Sequence, residues 1–160
     1  MAQQMKSVRT KPRTKSDREA LIDALNQDLE REYQAIIAYV VYSQMLKGAQ
    51  YMTIADELEL HAAEELKHAL TIAKHVDYLG GVPAAVPKDV KISDSPTEML
   101  RADLENETVT VRNYRARVVE CEHLGEYGIA EDIREILRQE QEHQIDLATA
   151  LGIAVPPIQE

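Results

Sequence analysis

The two halves of this 160-residue chain repeat one another at an offset of 75 residues, from Glu32 to Glu107 and from Glu65 to Glu140. In each half a glutamate is followed by a tyrosine at +7, a second glutamate at +33 and a histidine at +36. The two sets are Glu32, Tyr39, Glu65 and His68, then Glu107, Tyr114, Glu140 and His143. A pattern of such residues that occurs twice predicts two similar halves, each contributing the same side chains to one site.

Four segments carry apolar residues at every third or fourth position, which is the spacing of one face of an α-helix. These stripes run over residues 22–46, 54–79, 100–121 and 129–150, and almost nothing in the chain alternates like a strand. We therefore expect an all-α fold of four helices, A to D, three near 30 residues long and the last near 25. Residues 17–152 are expected to form this bundle, with a disordered basic tail at 1–16 and a short tail at 153–160.

Helix-start and helix-stop residues agree with these segments. Ser16 to Glu19 and Ser95 to Glu98 have the capping-box pattern, the second with Pro96 at the first helical position. Glycines or prolines follow each stripe, at Gly48, Gly80, Gly125 and Gly152 among others.

The connection between helices B and C differs from the other two. Residues 80–95 contain two glycines and two prolines at their first eight positions and show little helical pattern. Sixteen extended residues span roughly 50 Å, and a 30-residue helix is about 45 Å long. This segment can therefore cross the whole bundle, which predicts ferritin-like connectivity with one long crossover.

The repeated glutamates lie on the apolar stripes, where a bare carboxylate is expensive. Burying an unpaired charge costs several kcal/mol, and we find no Lys or Arg on any of the four stripes. Two divalent cations would balance four carboxylates to zero net charge, with two imidazoles completing the ligand set. Such oxygen-rich ligands suit Fe(II) or Mn(II) better than Zn(II).

One glutamate from each of two helices and a Glu-x-x-His pair from each of the other two is the ligand set of di-iron carboxylate bundles. The i, i+3 spacing places each glutamate and histidine on one helix face. The predicted metal ligands are Glu32, Glu65, His68, Glu107, Glu140 and His143.

The ligand segments resemble those of the bacterioferritin branch of the ferritin family over residues 17–152. The resemblance implies that Glu65 and Glu140 bridge two irons, that Glu32 with His68 completes one, and that Glu107 with His143 completes the other. Tyr39 matches the family's tyrosine beside the di-iron centre and is the candidate catalytic residue. The implied activity is a ferroxidase that oxidises Fe(II) with dioxygen or peroxide. The implied assembly is a homo-oligomeric, dimer-based shell of 12 or 24 subunits for iron storage or detoxification.

Three positions depart from that branch. The haem-ligating Met falls at Leu66, so no haem is expected. The inner-surface iron-binding His falls at Leu60, with Glu64 in place of its Asp partner. The sequence also ends shortly after helix D, without the fifth helix of 24-subunit cages, so the cage size stays open.

The net charge and the cysteine content indicate which partners and which cellular compartment to expect. The net charge is −10, and residues 1–16 carry five basic residues and no acid, which leaves −15 on the remainder. An acidic body argues against nucleic acid as the main partner. The single cysteine, Cys121, and the absence of an apolar leader or a membrane-length segment favour the cytoplasm.

Other readings remain open. The chain could be a non-storing di-metal oxidase or peroxide reductase of the rubrerythrin type, or a Dps-like shell that protects DNA with its basic tail. The six polar residues could also form a buried network without metal. Tyr39 and Tyr114 could be core packing, hydrogen-bond partners of ligand carboxylates, or electron donors during oxidation. His61 and His75, which share the helix B stripe, could be satisfied core histidines or an auxiliary metal or proton site.

Overall fold

The computed structural model describes residues 15–159, which form four long helices and no strand. They are α1 (Asp17–Met45), α2 (Met52–Tyr78), α3 (Pro96–His123) and α4 (Tyr127–Leu151), and one 3-10 turn (Ala49–Tyr51) precedes α2. Their lengths of 29, 27, 28 and 25 residues match the expected ones. The predicted all-α four-helix bundle is confirmed. Residues 1–14 of the predicted basic tail lie outside the described residues.

The helix starts follow the capping signals with one difference. Ser16 and Glu19 form a complete capping box, with Glu19 N donating to Ser16 Oγ and Ser16 N donating to Glu19 Oε2. Ser95 Oγ likewise accepts from the backbone N of Glu98. The Glu98 carboxylate, however, accepts from the Ser93 hydroxyl at 2.6 Å, so α3 has only one arm of the predicted box.

Segment 79–95 crosses the bundle along α1, as its length predicted. Asn26 near the start of α1 holds the crossover from both sides, because it donates to Val82 O and accepts from Ala84 N. Further along, Lys88 N donates to Glu30 O at 3.1 Å, and the Tyr42 hydroxyl donates to the carbonyl of Lys91. These contacts advance along α1 in chain order, so the crossover returns the chain to the end of the bundle where α1 finished.

Two glycines make the sharp exit from α2 possible. Gly80 has φ +88°, in the left-handed region that favours glycine. A Cβ on Gly81 would lie 2.5 Å from Ile22 Cγ2, so a larger residue there would push against α1.

Helix pairs α1–α3 and α2–α4 both run antiparallel. Tyr39 and Tyr114 of the first pair reach Glu107 and Glu32, so residue numbers that face one another add to a constant. His61 and His75 of the second pair face Asp146 and Asp132 in the same way. The two halves are thus related by an approximate two-fold arrangement, as the repeat predicted.

The core consists of two apolar clusters, one toward each end of the bundle. One contains Leu25, Leu29 and Ile72, and the other contains Leu58 and Leu104. Each buried Leu or Ile contributes about 1.5–3 kcal/mol, which offsets the cost of a polar layer between the clusters. Within the described residues, no helix has the length and apolarity that crossing a bilayer requires.

Candidate metal centre

The polar layer between the two clusters holds all six predicted ligands. Their exposed fractions are between 1% and 3%: Glu32, Glu65, His68, Glu107, Glu140 and His143. Each of the four helices supplies one glutamate, and α2 and α4 each add a histidine one turn later. The structure therefore brings together every residue that the repeat pointed to.

The six side chains divide into two overlapping groups of four. One group is Glu32, Glu65, His68 and Glu140, and the other is Glu65, Glu107, Glu140 and His143. The potential ligand atoms within each group lie within 4.8 Å of one another. Glu65 and Glu140 belong to both groups, so two cations held here would share them.

The two shared glutamates turn one oxygen toward each histidine. Glu65 Oε2 lies 3.0 Å from His68 Nδ1, and Glu65 Oε1 lies 2.9 Å from His143 Nδ1. Glu140 Oε1 lies 3.1 Å from His68 Nδ1, and Glu140 Oε2 lies 3.2 Å from His143 Nδ1. This is the arrangement of carboxylates that bridge two neighbouring half-sites.

A tyrosine from the opposite half orients each remaining glutamate. The Tyr39 hydroxyl donates to Glu107 Oε1, and the Tyr114 hydroxyl donates to Glu32 Oε1. Both tyrosines are at most 1% exposed. Tyr114 thus makes the same contact as Tyr39, the candidate catalytic residue, which favours the carboxylate-partner reading over simple packing for both.

The outer nitrogen of each histidine has its own partner. His143 Nε2 lies 2.7 Å from Glu64 Oε2, and His68 Nε2 lies 2.7 Å from Gln139 Oε1. A carboxylate or amide oxygen only accepts, so each Nε2 carries a proton. That leaves each Nδ1 facing the shared glutamates, where it can offer a lone pair to a cation.

Sequence reasoning did not identify either residue as a partner of a ligand histidine. Glu64 and Gln139 directly precede Glu65 and Glu140 and are themselves 75 residues apart. The repeat therefore held the signal, although neither residue lies on an apolar stripe.

Without cations, the buried carboxylates of this site repel one another, and burial disfavours their charged forms. Burial, with the negative charges of Glu65 and Glu140, raises the pKa of Glu32 and of Glu107 well above the ordinary range. Burial alone would also raise the pKa of Glu65, but its close contacts with Glu32 and with the two histidines outweigh burial and lower that pKa. Two glutamates are therefore driven toward the neutral form, while Glu65 stays ionised.

The histidines respond in the opposite sense. Burial opposes their charged form, but the close carboxylates of Glu140, Glu65 and, for His68, Glu32 outweigh it. These contacts raise the pKa of His143 to about 12 and also raise the pKa of His68. Protons thus take the place of cations in balancing the buried carboxylates.

A second, independent observation supports the fit of these six side chains to divalent metal ions. Four of the six side chains have buried atoms that make no hydrogen bond to any described residue: Glu32 Oε2, Glu65 Oε1, both oxygens of Glu140 and His143 Nδ1. Each unsatisfied buried polar atom costs about 1–3 kcal/mol. These atoms converge on the space between the histidines, so cations there would satisfy all of them at once.

A second pair of repeat-related acids, Asp28 and Asp103, shows how the halves diverge. Asp28 is buried and receives a 2.7 Å hydrogen bond from Arg117 Nε. Arg117 is only 8% exposed, although it does not belong to the α3 stripe. It lies beside the α3 stripe and reaches inward to Asp28 rather than to a predicted ligand. Asp103 Oδ2, by contrast, is buried with no hydrogen-bond partner among residues 15–159.

The two other buried histidines of α2 each have an acidic partner on α4. His61 Nε2 lies 3.2 Å from Asp146, and His75 Nε2 lies 2.8 Å from Asp132. The His61 ring also stacks on the ring of His143, with centroids 4.0 Å apart. A cavity of about 330 Å³ opens beside this stack, and it is lined by Glu57, Glu64, Glu142 and Asp146 among others. Arg138 is the one basic residue of this lining, so the cavity is acidic on balance and reaches His143 between α2 and α4.

Known proteins are similar to this chain in sequence and in fold. The model of the ferritin-like domain family matches residues 22–153. A bacterioferritin of Desulfovibrio desulfuricans is 26% identical over 81% of this chain and 73% of its own length. A bacterioferritin of Brucella melitensis is 26% identical over 82% and 86%, and a bacterial ferritin of Pseudomonas aeruginosa is 28% identical over 83% and 87%.

A solved structure agrees with these sequence relatives. The crystal structure of a ferritin-like, diiron-carboxylate protein from Bacillus anthracis superimposes with a TM-score of 0.82 at 28% identity. The match covers 86% of this chain and 99% of that one. With four helices, one long crossover and a duplicated Glu-x-x-His set, the chain belongs to the ferritin-like family, in its bacterioferritin-like branch.

Proposed function

We propose that this chain is a ferroxidase that oxidises Fe(II) to Fe(III) at a di-iron centre within one subunit. The observation that carries the proposal is the position of Glu65 and Glu140, each with one oxygen near each histidine. Its relatives named bacterioferritin and its neighbour named diiron-carboxylate support iron as the substrate.

Each ligand has a distinct role in the proposal. Glu65 and Glu140 would each hold both cations. Glu32 and His68 complete one half-site, and Glu107 and His143 complete the other. Because the four glutamates together carry −4, they match two divalent cations in charge and hold the trivalent product still more strongly.

When bound, the iron pair supplies two electrons, which with two protons reduce dioxygen to hydrogen peroxide or peroxide to water. The protein's own contribution is positional. Tyr39 and Tyr114 hold Glu107 and Glu32 in place through their hydroxyl groups. Glu64 and Gln139 hold the imidazoles so that Nδ1 faces inward. Tyr39 also lies edge-on to His61 and His143, which keeps it as the candidate catalytic tyrosine.

Aerobic addition of Fe(II) tests the activity through the growth of ferric absorbance. We expect Glu65→Ala and His143→Ala each to slow this growth by about 100-fold or more, because each removes a ligand. His75→Ala is the control, since His75 is another buried histidine, on α2, whose partner is Asp132. Unchanged rates in both ligand variants would reject the assigned site.

Storage in a homo-oligomeric shell is the second part of the proposal. Native mass together with iron content per subunit after aerobic loading tests it. A 12- or 24-subunit particle holding many irons per subunit supports storage. A dimer at all concentrations that retains two irons per subunit would favour a non-storing di-metal oxidase or peroxide reductase. Parallel loading with Mn(II) measures whether the same ligands accept manganese.

A further inference from the structure

The two half-sites have identical predicted ligands but different supporting residues. Glu64 and Gln139 occupy equivalent positions in the repeat, 75 residues apart, each just before a bridging glutamate. One is a carboxylic acid and the other its neutral amide. The different charges of these two side chains break the two-fold symmetry of the centre.

Hydrogen bonds around this pair run in one direction. His68 Nε2 donates to Gln139 Oε1 at 2.7 Å, and Gln139 Nε2 in turn faces Glu64 Oε1 at 3.5 Å. His143 Nε2 donates to the other oxygen, Glu64 Oε2, at 2.7 Å. Glu64 therefore contacts His143 directly and His68 only through an amide.

A carboxylate behind an imidazole raises the basicity of the opposite ring nitrogen more than an amide does. His143 Nδ1 is thereby the stronger donor to a cation and His68 Nδ1 the weaker one. Supporting residues of this kind typically change metal affinity by 10- to 100-fold.

The surroundings of the two histidines differ in the same sense. His143 lines the acidic cavity of about 330 Å³ and stacks on His61. The position equivalent to His61 in the second half is Ile136, a buried apolar residue. Cations that approach through this cavity therefore meet the His143 half-site first.

We infer that the two half-sites bind cations in a fixed order, with the Glu107–His143 half-site filled first and more tightly because Glu64 supports it. The inference rests on the proposed function, since it requires two cations in this centre. Glu64 acts as a positioning residue through His143.

Anaerobic titration with Co(II) tests the order without any oxidation. Co(II) accepts nitrogen and carboxylate ligands and reports its coordination by visible absorption. We expect two Co(II) per subunit in two steps whose dissociation constants differ by about 10- to 100-fold.

Three variants assign the steps. Glu64→Gln gives both histidines an amide partner, so it should weaken the first step by about tenfold and merge the two. Gln139→Glu gives both a carboxylate and should tighten the second step toward the first. The exchange variant, with both substitutions, should separate the steps again. Both residues are partly exposed, so these near-isosteric changes leave the core packing intact.

The outcomes separate this inference from the function on which it rests. Two equal steps in the native sequence, or a separation unchanged by Glu64→Gln, would overturn the binding order and leave the centre standing. Fewer than two Co(II) per subunit in the native sequence would reject the centre itself.

Discussion

Tyr39 of α1 donates its hydroxyl hydrogen bond to Glu107 of α3, 68 residues away in sequence and in the other half of the repeat. The hydroxyl of Tyr39 finds its acceptor in the other half, and the carboxylate of Glu107 finds its donor there. The contact therefore joins the two halves at the centre of the bundle. The equivalent hydrogen bond from Tyr114 to Glu32 does the same.

Removing each tyrosine hydroxyl separates orientation from catalysis. Tyr39→Phe and Tyr114→Phe each free one ligand carboxylate, so we expect both to weaken Co(II) binding by a similar factor of about 10. Only Tyr39 packs against His61 and His143, so at saturating iron we expect Tyr39→Phe alone to slow oxidation further. Equal oxidation rates in the two variants would reduce Tyr39 to an orienting role.

Metal binding should release protons. Without cations the raised pKa values of Glu32 and Glu107 favour their neutral acids, and those of His68 and His143 favour imidazolium. Filling the centre displaces these protons, up to four per subunit from two acids and two imidazoliums. Affinity for Co(II) should therefore rise steeply from pH 6 to pH 8. Calorimetry in two buffers of different ionisation enthalpy counts the protons, and a pH-independent affinity would contradict the assignment.

The buried acid Asp103 should cost the metal-free protein stability at neutral pH. Burial, with the charge of Glu65, raises the pKa of Asp103 well above its usual range. The folded chain thus binds this proton more tightly than the unfolded chain, and stability falls as pH rises above about 4. We expect Asp103→Asn to raise the free energy of unfolding by about 1 kcal/mol at pH 7. The gain should vanish near pH 4, where Asp103 is already neutral, and urea denaturation at both pH values measures it.

Asp28 provides the matched comparison, because it holds the equivalent position in the first half. Asp28→Asn removes the carboxylate that pairs with the buried Arg117. Among residues 15–159, Arg117 then keeps Glu120 as its remaining ion-pair partner. We therefore expect the free energy of unfolding to fall by about 2–4 kcal/mol. If the free energy of unfolding rises in Asp103→Asn and falls in Asp28→Asn, the two halves differ in charge pairing. A gain in both would contradict the role given to Arg117.

The sequence was sufficient to predict the helices and the crossover, because these depend on local signals. The apolar period, the Ser16 and Ser95 caps and the glycines set the helix bounds to within a few residues. The candidate ligands could also be predicted. Four carboxylates buried on apolar stripes need compensating positive charge, and the repeat identified which glutamates these are.

Contacts that depend on the register between helices were not accessible in this way. Periodicity predicts which face of a helix turns inward, but not which residue of another helix it meets. Arg117 lies one position from the α3 stripe and still reaches Asp28, because a long side chain can turn inward from the edge. Glu64 and Gln139 lie off the stripes, so only the antiparallel alignment of α2 with α4 places them against the histidines.

The most direct test of the account is an anomalous difference map from a crystal loaded anaerobically with Mn(II) or Fe(II). We expect two peaks between Glu65 and Glu140, one about 2.0–2.3 Å from His68 Nδ1 and the other equally close to His143 Nδ1. A map with no peak there, or with density only at the outer Nε2 atoms or on the protein surface, would contradict the claim that these six residues form a two-cation centre.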